Sequence, residues 1–284
     1  MVRALVVALA CCMPVMFTPA LTRTAAGQAA DLPQRDAFLR EVREAISRSQ
    51  EVAHRYAYKE RRTELRLNPF GRMGSGVTLV YDVRPAPNAK LTYRRLIERD
   101  GVAVSKVELD RQDADYAARA RRIAASGDDE SPAARERRRG EDLLARKRAQ
   151  MIVDDVVGAL QFDIARREFK DGKPQIVIAF AANRDARPVT REGRLIKSFR
   201  GHVWVDEASR EVTDVRATAI ENVGFGGGFI GKIYEGMETV VERHEIETGV
   251  WMPTRLTLRG DVRAIFRRAR IDHVVEWFDY RAMP

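Results

Sequence analysis

Apolar residues recur along the chain with two distinct periods, and the alternation between them predicts most of the elements. Over residues 34–51, Phe38, Leu39, Val42 and Ile46 fall at helical spacing among charged positions, which predicts an amphipathic helix with one buried stripe. Such a stripe needs an apolar surface to cover, and the residues that follow predict a sheet. From Tyr56 to Leu67 the pattern turns extended, residues 68–71 read as a turn, and Gly74-Ser-Gly leads into a strand in which Val77, Leu79, Tyr81 and Val83 share one face at period two. Leu91 to Arg99 and Val102 to Leu109 read as strands joined at Asp100-Gly101, a dipeptide that accepts the positive φ angles of a tight hairpin.

Residues 112–157 change character: they are rich in Ala, Arg, Asp and Glu, and the Gly127–Pro132 segment breaks them into two helical stretches. The second stretch, from about Ala133, carries Leu143, Leu144, Met151, Ile152, Val156 and Val157, so its later half can pack on the sheet. Arg135, Arg137, Arg138 and Arg139 read as a solvated face, or as a patch for an anionic surface. From Phe162 onward strands return, with Asp171-Gly172 as a second hairpin turn and Gln175 to Ala181 as the returning strand. Gly201 to Val212 reads as strand, turn and strand, continuing through Ile220. Lys232 to Ile246 and Val250 to Arg259 flank a third hairpin at Glu247-Thr-Gly249, and Val262–Ile271 and Ile271–Tyr280 complete the extended segments. Sequential strands with short turns predict an antiparallel sheet in an α+β fold rather than a βαβ array.

The amino terminus precedes this pattern and sets the compartment. Arg3 gives a short positive region, Ala4 to Leu21 is apolar but broken by Pro14 and Pro19, and small residues follow through Ala30. This predicts a signal peptide over residues 1–29 with cleavage near Ala29, hence export to the periplasm or the periplasmic face of the outer membrane, and a single domain over residues 30–284. Both cysteines, Cys11 and Cys12, lie in that leader, so disulfides, thiolate catalysis and Cys-ligated zinc are excluded from the remainder. The net charge of +9 falls to +7 once the leader's Arg3 and Arg23 are set aside, and that charge is interspersed. With no reader motif, nucleic acid is excluded as a partner.

The motifs of catalysis fail on their context. Gly226 to Lys232 comes near a phosphate-binding loop, but Ile233 stands where Ser or Thr would hold magnesium, and a strand follows. His244-Glu245 lacks the second histidine of a zinc-protease helix, and Ser75 lacks the spacing of a nucleophile elbow. His54, His202, His244 and His273 are scattered, leaving convergence of a histidine and a carboxylate in a cleft as the one route to a hydrolase. No catalytic residue, cofactor or metal site is expected.

The order of elements resembles the LolA/LolB-like fold of periplasmic lipoprotein carriers and outer-membrane lipoprotein-sorting proteins. Two segments carry the resemblance: Gly201-His-Val-Trp-Val-Asp-Glu-Ala-Ser-Arg-Glu-Val-Thr-Asp-Val-Arg-Ala, and Gly249-Val-Trp-Met-Pro-Thr-Arg-Leu. The resemblance implies a curved, incomplete antiparallel barrel, with the N-terminal helix and the central helical pair over its concave face and an apolar cavity that takes acyl chains. Leu79, Tyr81, Tyr93, Trp204, Met252, Leu256, Phe266 and Trp277 are the expected lining; each also serves as ordinary core packing. The expected partner is a lipid or an acylated lipoprotein cargo. The charged insert at 112–157 departs from a simple carrier and leaves open an envelope scaffold or sensor that binds a protein partner or an anionic membrane surface.

Overall fold

The structure is a computed structural model that describes residues 31–64, 76–86, 91–128, 154–225, 231–264 and 267–283, with a few positions between 136 and 152. The leader, the turn at 68–71, Arg135, Arg137, Arg138, Arg139, Leu143, residues 226–230 and Phe266 lie outside the described residues.

The first helix, α1 (Arg35–Ala53), forms where the pattern predicts it. The Gln34 side chain caps it by accepting from the Ala37 N–H at 2.7 Å, and Phe38, Leu39, Val42, Ala45, Ile46 and Ser49 make its buried stripe. It lies across the strands rather than along them. Arg35 at its start meets Asp163 at 3.5 Å, Glu41 meets Arg210 at 2.6 Å, and Ser49 near its end donates to Glu211 at 2.5 Å.

Strands β1 (Tyr56–Glu64), β2 (Val77–Arg84), β3 (Tyr93–Arg99) and β4 (Val102–Ala103) precede helix α2 (Lys106–Asp128). Then come β5 (Leu160–Lys170), β6 (Lys173–Ala182), helix α3 (Arg191–Ile196), β7 (Phe199–Asp206) and β8 (Val212–Ala219). The chain closes with β9 (Val223–Phe225), β10 (Gly231–Ile233), β11 (Glu238–Glu247), β12 (Val250–Ala264) and β13 (Arg267–Ala282). Every strand pairing is antiparallel, in the order β4-β3-β2-β1-β13-β12-β11-β8-β7-β6-β5, with β10 joining β9 to β12. The sheet is open, because β4 and β5 end the path without meeting. The Asp-Gly turns behave as their chemistry requires, with φ of 50° and 79° at Asp100 and Gly101 and of 52° and 76° at Asp171 and Gly172.

Three boundaries differ from the sequence pattern. Residues 102–109 are not one strand: β4 stops at Ala103, and Ser105 caps a helix by accepting from the Glu108 N–H at 3.3 Å while its carbonyl takes the Leu109 N–H at 3.0 Å. A local cap outweighs the apolar alternation of Val102 and Val104. The segment 232–246 is split by a turn with Gly236 at φ 82°, which sends β10 to β9 and lets β11 start afresh beside β8. The last two strands do not part at Ile271, since the ladder runs unbroken past Gly260↔Ile271 as far as Ala264↔Arg267.

One buried cluster holds these elements together. It joins Phe38, Leu39, Val42 and Ile46 of α1 to Val156, Val157, Leu160, Ile176, Ile178, Phe199, Val203, Val215, Val241, Leu256 and Val275. Residues 154–158 are helical and bring Val156 and Val157 onto the sheet as the pattern expects, whereas Leu144 and Met151 are exposed. Asp155 ties this stretch to α3: its carboxylate accepts from Val189 N at 3.0 Å, from Thr190 N at 2.7 Å and from the Thr190 hydroxyl. Burial alone would raise the Asp155 pKa, but the Thr190 and Val189 hydrogen bonds, with Arg194 nearby, outweigh it and hold it below the ordinary range.

Candidate functional site

Pairing fixes which side chains share a face, because paired residues point the same way and neighbours along a strand point oppositely. Following Leu79↔Arg62, Arg62↔Val275, Val275↔Leu256, Leu256↔Val241, Val241↔Val215, Val215↔Val203 and Val203↔Ile178 traces one continuous face from β2 to β6. The α1 stripe packs on it. Leu79, Tyr81, Leu256 and Trp277 of the expected lining all belong to this inner face.

Of the remaining expected residues, the three that the structure describes, Tyr93, Trp204 and Met252, go elsewhere. Trp204 pairs with Asp214 and Val177 on the outer face, where its indole N–H donates to Glu168 at 2.8 Å and Arg216 lies 5.0 Å over its ring. That hydrogen bond, with one from Arg166, keeps the Glu168 pKa low. Tyr93 pairs with Arg84 on the outer face and meets α2: its hydroxyl donates to Asp113, and its ring stacks 4.3 Å from Tyr116. Burial and the Asp113 bond push the Tyr93 pKa up to about 12. Helix α2 therefore packs on the outer side of β3. Its described contacts there include Arg95 to Asp113 at 2.9 Å and a reciprocal pair between the Gln112 amide and the Leu96 backbone at 2.8 and 3.2 Å. Met252 pairs with His244, on the face opposite Arg243, and is buried there.

The inner face has two regions. Under α1 it is closed: Leu256 is 1% exposed, and Val205, Ile176 and Val156 are fully buried. Toward β10, β12 and β13 the same face continues past the helix, and Ile233, Val262, Ile271 and Trp277 are only partly buried where they pack against the core. Ile271 to Trp277 spans six residues of one strand, roughly 20 Å at the usual rise.

This half-open apolar strip ends in a charged and aromatic group. Glu60, only 4% exposed, accepts from Arg62 Nε at 3.1 Å, from the Trp277 indole N–H at 3.3 Å and from Arg94. The Arg94 guanidinium lies 3.8 Å over the Tyr81 ring and that of Arg62 lies 5.4 Å from it. Two cations thus meet one carboxylate beside Trp277 and Tyr81. Sequence reading singled out the two aromatic residues but not Glu60, Arg62 or Arg94. The available signal was period-two alternation, which puts Glu60 and Arg62 on one face of β1.

A second polar cluster fastens α1 over the closed region. Arg243 donates to Glu211 at 3.0 Å and to the carbonyls of Val212 and Trp251 at 3.1 and 3.0 Å, while Glu211 also accepts from Ser49. Burial lowers the Arg243 pKa against the opposing pull of Glu211, and burial raises that of the neighbouring Tyr280. The histidines lie apart: His244 bonds Thr254 on the outer face at 2.7 Å, His202 stands beside Trp204, His54 ends α1, and His273 pairs with Leu258 on the inner face. Among the described residues no three His, Cys, Asp or Glu side chains gather to hold a metal ion, and no helix is long and apolar enough to cross a membrane.

The class these features define is an open antiparallel sheet with an amphipathic helix strapped across one face and, among the described residues, a partly buried apolar strip beside it. No protein-family model and no curated protein matches the chain. Among solved structures it is similar to a DUF1329 family protein from Desulfovibrio piger, with 10% identity over 86% of this chain and 92% of that one and a TM-score of 0.30. It is also similar to an outer membrane lipoprotein-sorting protein domain from Vibrio parahaemolyticus, with 9% identity over 86% of this chain and 93% of that one and a TM-score of 0.29. At such scores the likeness carries no weight for function, which must come from this chain's own residues.

Proposed function

We propose that this is a non-catalytic envelope protein that carries the acyl chain of a lipid or lipoprotein against the inner face of its sheet. The observation that supports this reading is the half-open strip of Ile233, Val262, Ile271 and Trp277, which continues the buried core beyond the reach of α1. Tyr81 extends it on β2, while Leu79 and Leu256 of the same face are buried in the core behind it. Each acyl methylene removed from water there contributes about 0.8 kcal/mol, so about ten of them supply the roughly 8 kcal/mol of a micromolar complex, and the rest of a long chain must offset the ordering costs. Location in the envelope rests on the leader read in residues 1–29.

The test is organic extraction and mass spectrometry of protein purified from the envelope without detergent. Trp277→Ala, on the strip, should lose a stoichiometric acyl cargo that Trp204→Ala, on the outer face, retains. A wild-type protein that carries no lipid and takes up no fluorescent fatty acid would overturn the reading and leave the charged insert, as a docking surface for a protein or membrane, in its place.

A further inference from the structure

We propose that the helical face carrying Leu144, Lys147, Arg148 and Met151 docks on the surface of an anionic phospholipid bilayer, whatever the inner face of the sheet holds. Glu136, Gly140, Leu144, Lys147, Arg148, Met151 and Ile152 are all helical. Steps of three and four residues put Leu144, Lys147, Arg148 and Met151 on one side of a helix, with Leu144 and Met151 in line two turns, roughly 10 Å, apart. Both are large apolar side chains left in water, 67% and 47% exposed. Lys147 and Arg148 flank that line on either side and are exposed too. The face is held firmly at its base, because Ile152, a quarter turn round from Met151, packs against the core, and Val156, one turn on, is fully buried.

Charge and spacing together choose the partner. Cations on the outer face of the sheet are answered by carboxylates, as Lys170 is by Asp214, Arg61 by Glu276 and Arg259 by Asp272. Among the described residues nothing pairs with Lys147 or Arg148. Residues 133–152 hold seven Lys and Arg against three carboxylates, a surplus of four in a chain whose net charge is +9. Gly140, one turn before Leu144, has nothing within 4 Å of where a Cβ would stand, so the approach is clear. A groove on another protein would take apolar anchors at i, i+3, i+4 and i+7, but after Leu144 the positions i+3 and i+4 are Lys147 and Arg148, and only Met151 at i+7 is apolar. A bilayer surface suits that pattern: the leucine and methionine enter among the acyl chains, while the cations stay at the depth of the phosphates with their stems along the apolar boundary.

Flotation of protein purified from the envelope, with vesicles of phosphatidylcholine alone or mixed roughly 3:1 with phosphatidylglycerol, reads the docking directly. Partition should be at least about tenfold stronger onto the anionic vesicles and should fall as NaCl rises from about 0.1 to about 0.5 M. K147Q/R148Q should lower it about 25-fold, each cation near an anionic surface being worth about fivefold, and L144A/M151A should weaken it several-fold. All four positions are exposed, so the far-ultraviolet circular dichroism of both variants should match the wild type. Trp277→Ala, on the strip, should partition as the wild type does. Equal partition onto the two kinds of vesicle, or a preference that survives K147Q/R148Q, overturns the docking face. Binding lost in Trp277→Ala but kept in K147Q/R148Q overturns it in favour of lipid uptake by the strip. No partition onto either vesicle overturns it and leaves this face to a protein partner.

Discussion

Replacing Arg243 by Met tests whether α1 is fastened by charge as well as by its apolar stripe. The substitution keeps most of the side chain's apolar stem but removes bonds to Glu211 at 3.0 Å, to the Val212 carbonyl at 3.1 Å and to the Trp251 carbonyl at 3.0 Å. Both partners of the ion pair are nearly buried, with side-chain exposures of 12% and 7%. Glu211 is then left as a carboxylate among apolar neighbours with Ser49 as its remaining donor in the cluster. Breaking such a pair from one side costs about 3–5 kcal/mol, because the surviving charge keeps its desolvation penalty and loses its compensation. With a urea slope of about 2 kcal/mol/M, the midpoint should fall by roughly 2 M in unfolding followed by far-ultraviolet circular dichroism at pH 7. Glu211→Gln combined with Arg243→Met should recover more than half of the loss, since the orphaned charge is gone. A loss below about 1 kcal/mol, or a double variant no more stable than the single one, would refute the assignment of α1's anchor to this pair.

Two further outcomes follow from geometry already described. Gly201→Ala should destabilise by about 1–3 kcal/mol in the same assay, because the new Cβ would stand 1.9 Å from the Arg216 carbonyl oxygen and 2.8 Å from Phe180 Cζ; an unchanged midpoint would mean that β7 and β8 separate freely there. The Tyr93 phenol keeps its proton in the folded state to about pH 12 but loses it near pH 10 when unfolded, so its contribution to stability is complete below pH 10 and is lost as pH rises toward 12. Absorbance titration at high pH should show a late phenolate component near pH 12 that loses one tyrosine in Tyr93→Phe, the more deeply buried Tyr280 titrating later still, and an unchanged amplitude near pH 12 in that variant would refute the assignment.

What was legible in the sequence is local. The α1 stripe and the Asp-Gly hairpins depend on period and turn chemistry within a few residues, and both appear where expected. The start of α2 was hidden because Val102 and Val104 alternate like a strand, while the decisive signal is the Ser105 cap. The face of each aromatic was harder still. Trp204 and Leu256 both sit on strands of alternating apolar residues, and only the register, including the bulges at Trp204/Val205 and Glu242/Arg243, shows that they point to opposite sides. The Glu60 group could not be seen at all, since Arg94 and Trp277 reach it from 34 and 217 residues away in sequence. Pairing of β1 between β2 and β13 creates that neighbourhood, and strand order is not written in any single segment.

The placement of β13 beside β1 also dictates an order of events during folding. Lys59 and Arg61 on the first strand find Asp279 and Glu276 on the last, and α1 finds Arg210 and Glu211 more than 160 residues downstream. The hairpins β5–β6 and β7–β8 and the β1–β2–β3 ladder can form early, but α1 and the second edge of β1 find their partners only when later segments exist, with the α1 stripe exposed meanwhile. Long loops must close before these contacts reward them, which makes the last step slow and keeps the chain open until its end has been made. Removing β13 would therefore cost more than one edge: it would strip the β4-β3-β2-β1 half of the sheet from the half that holds the core.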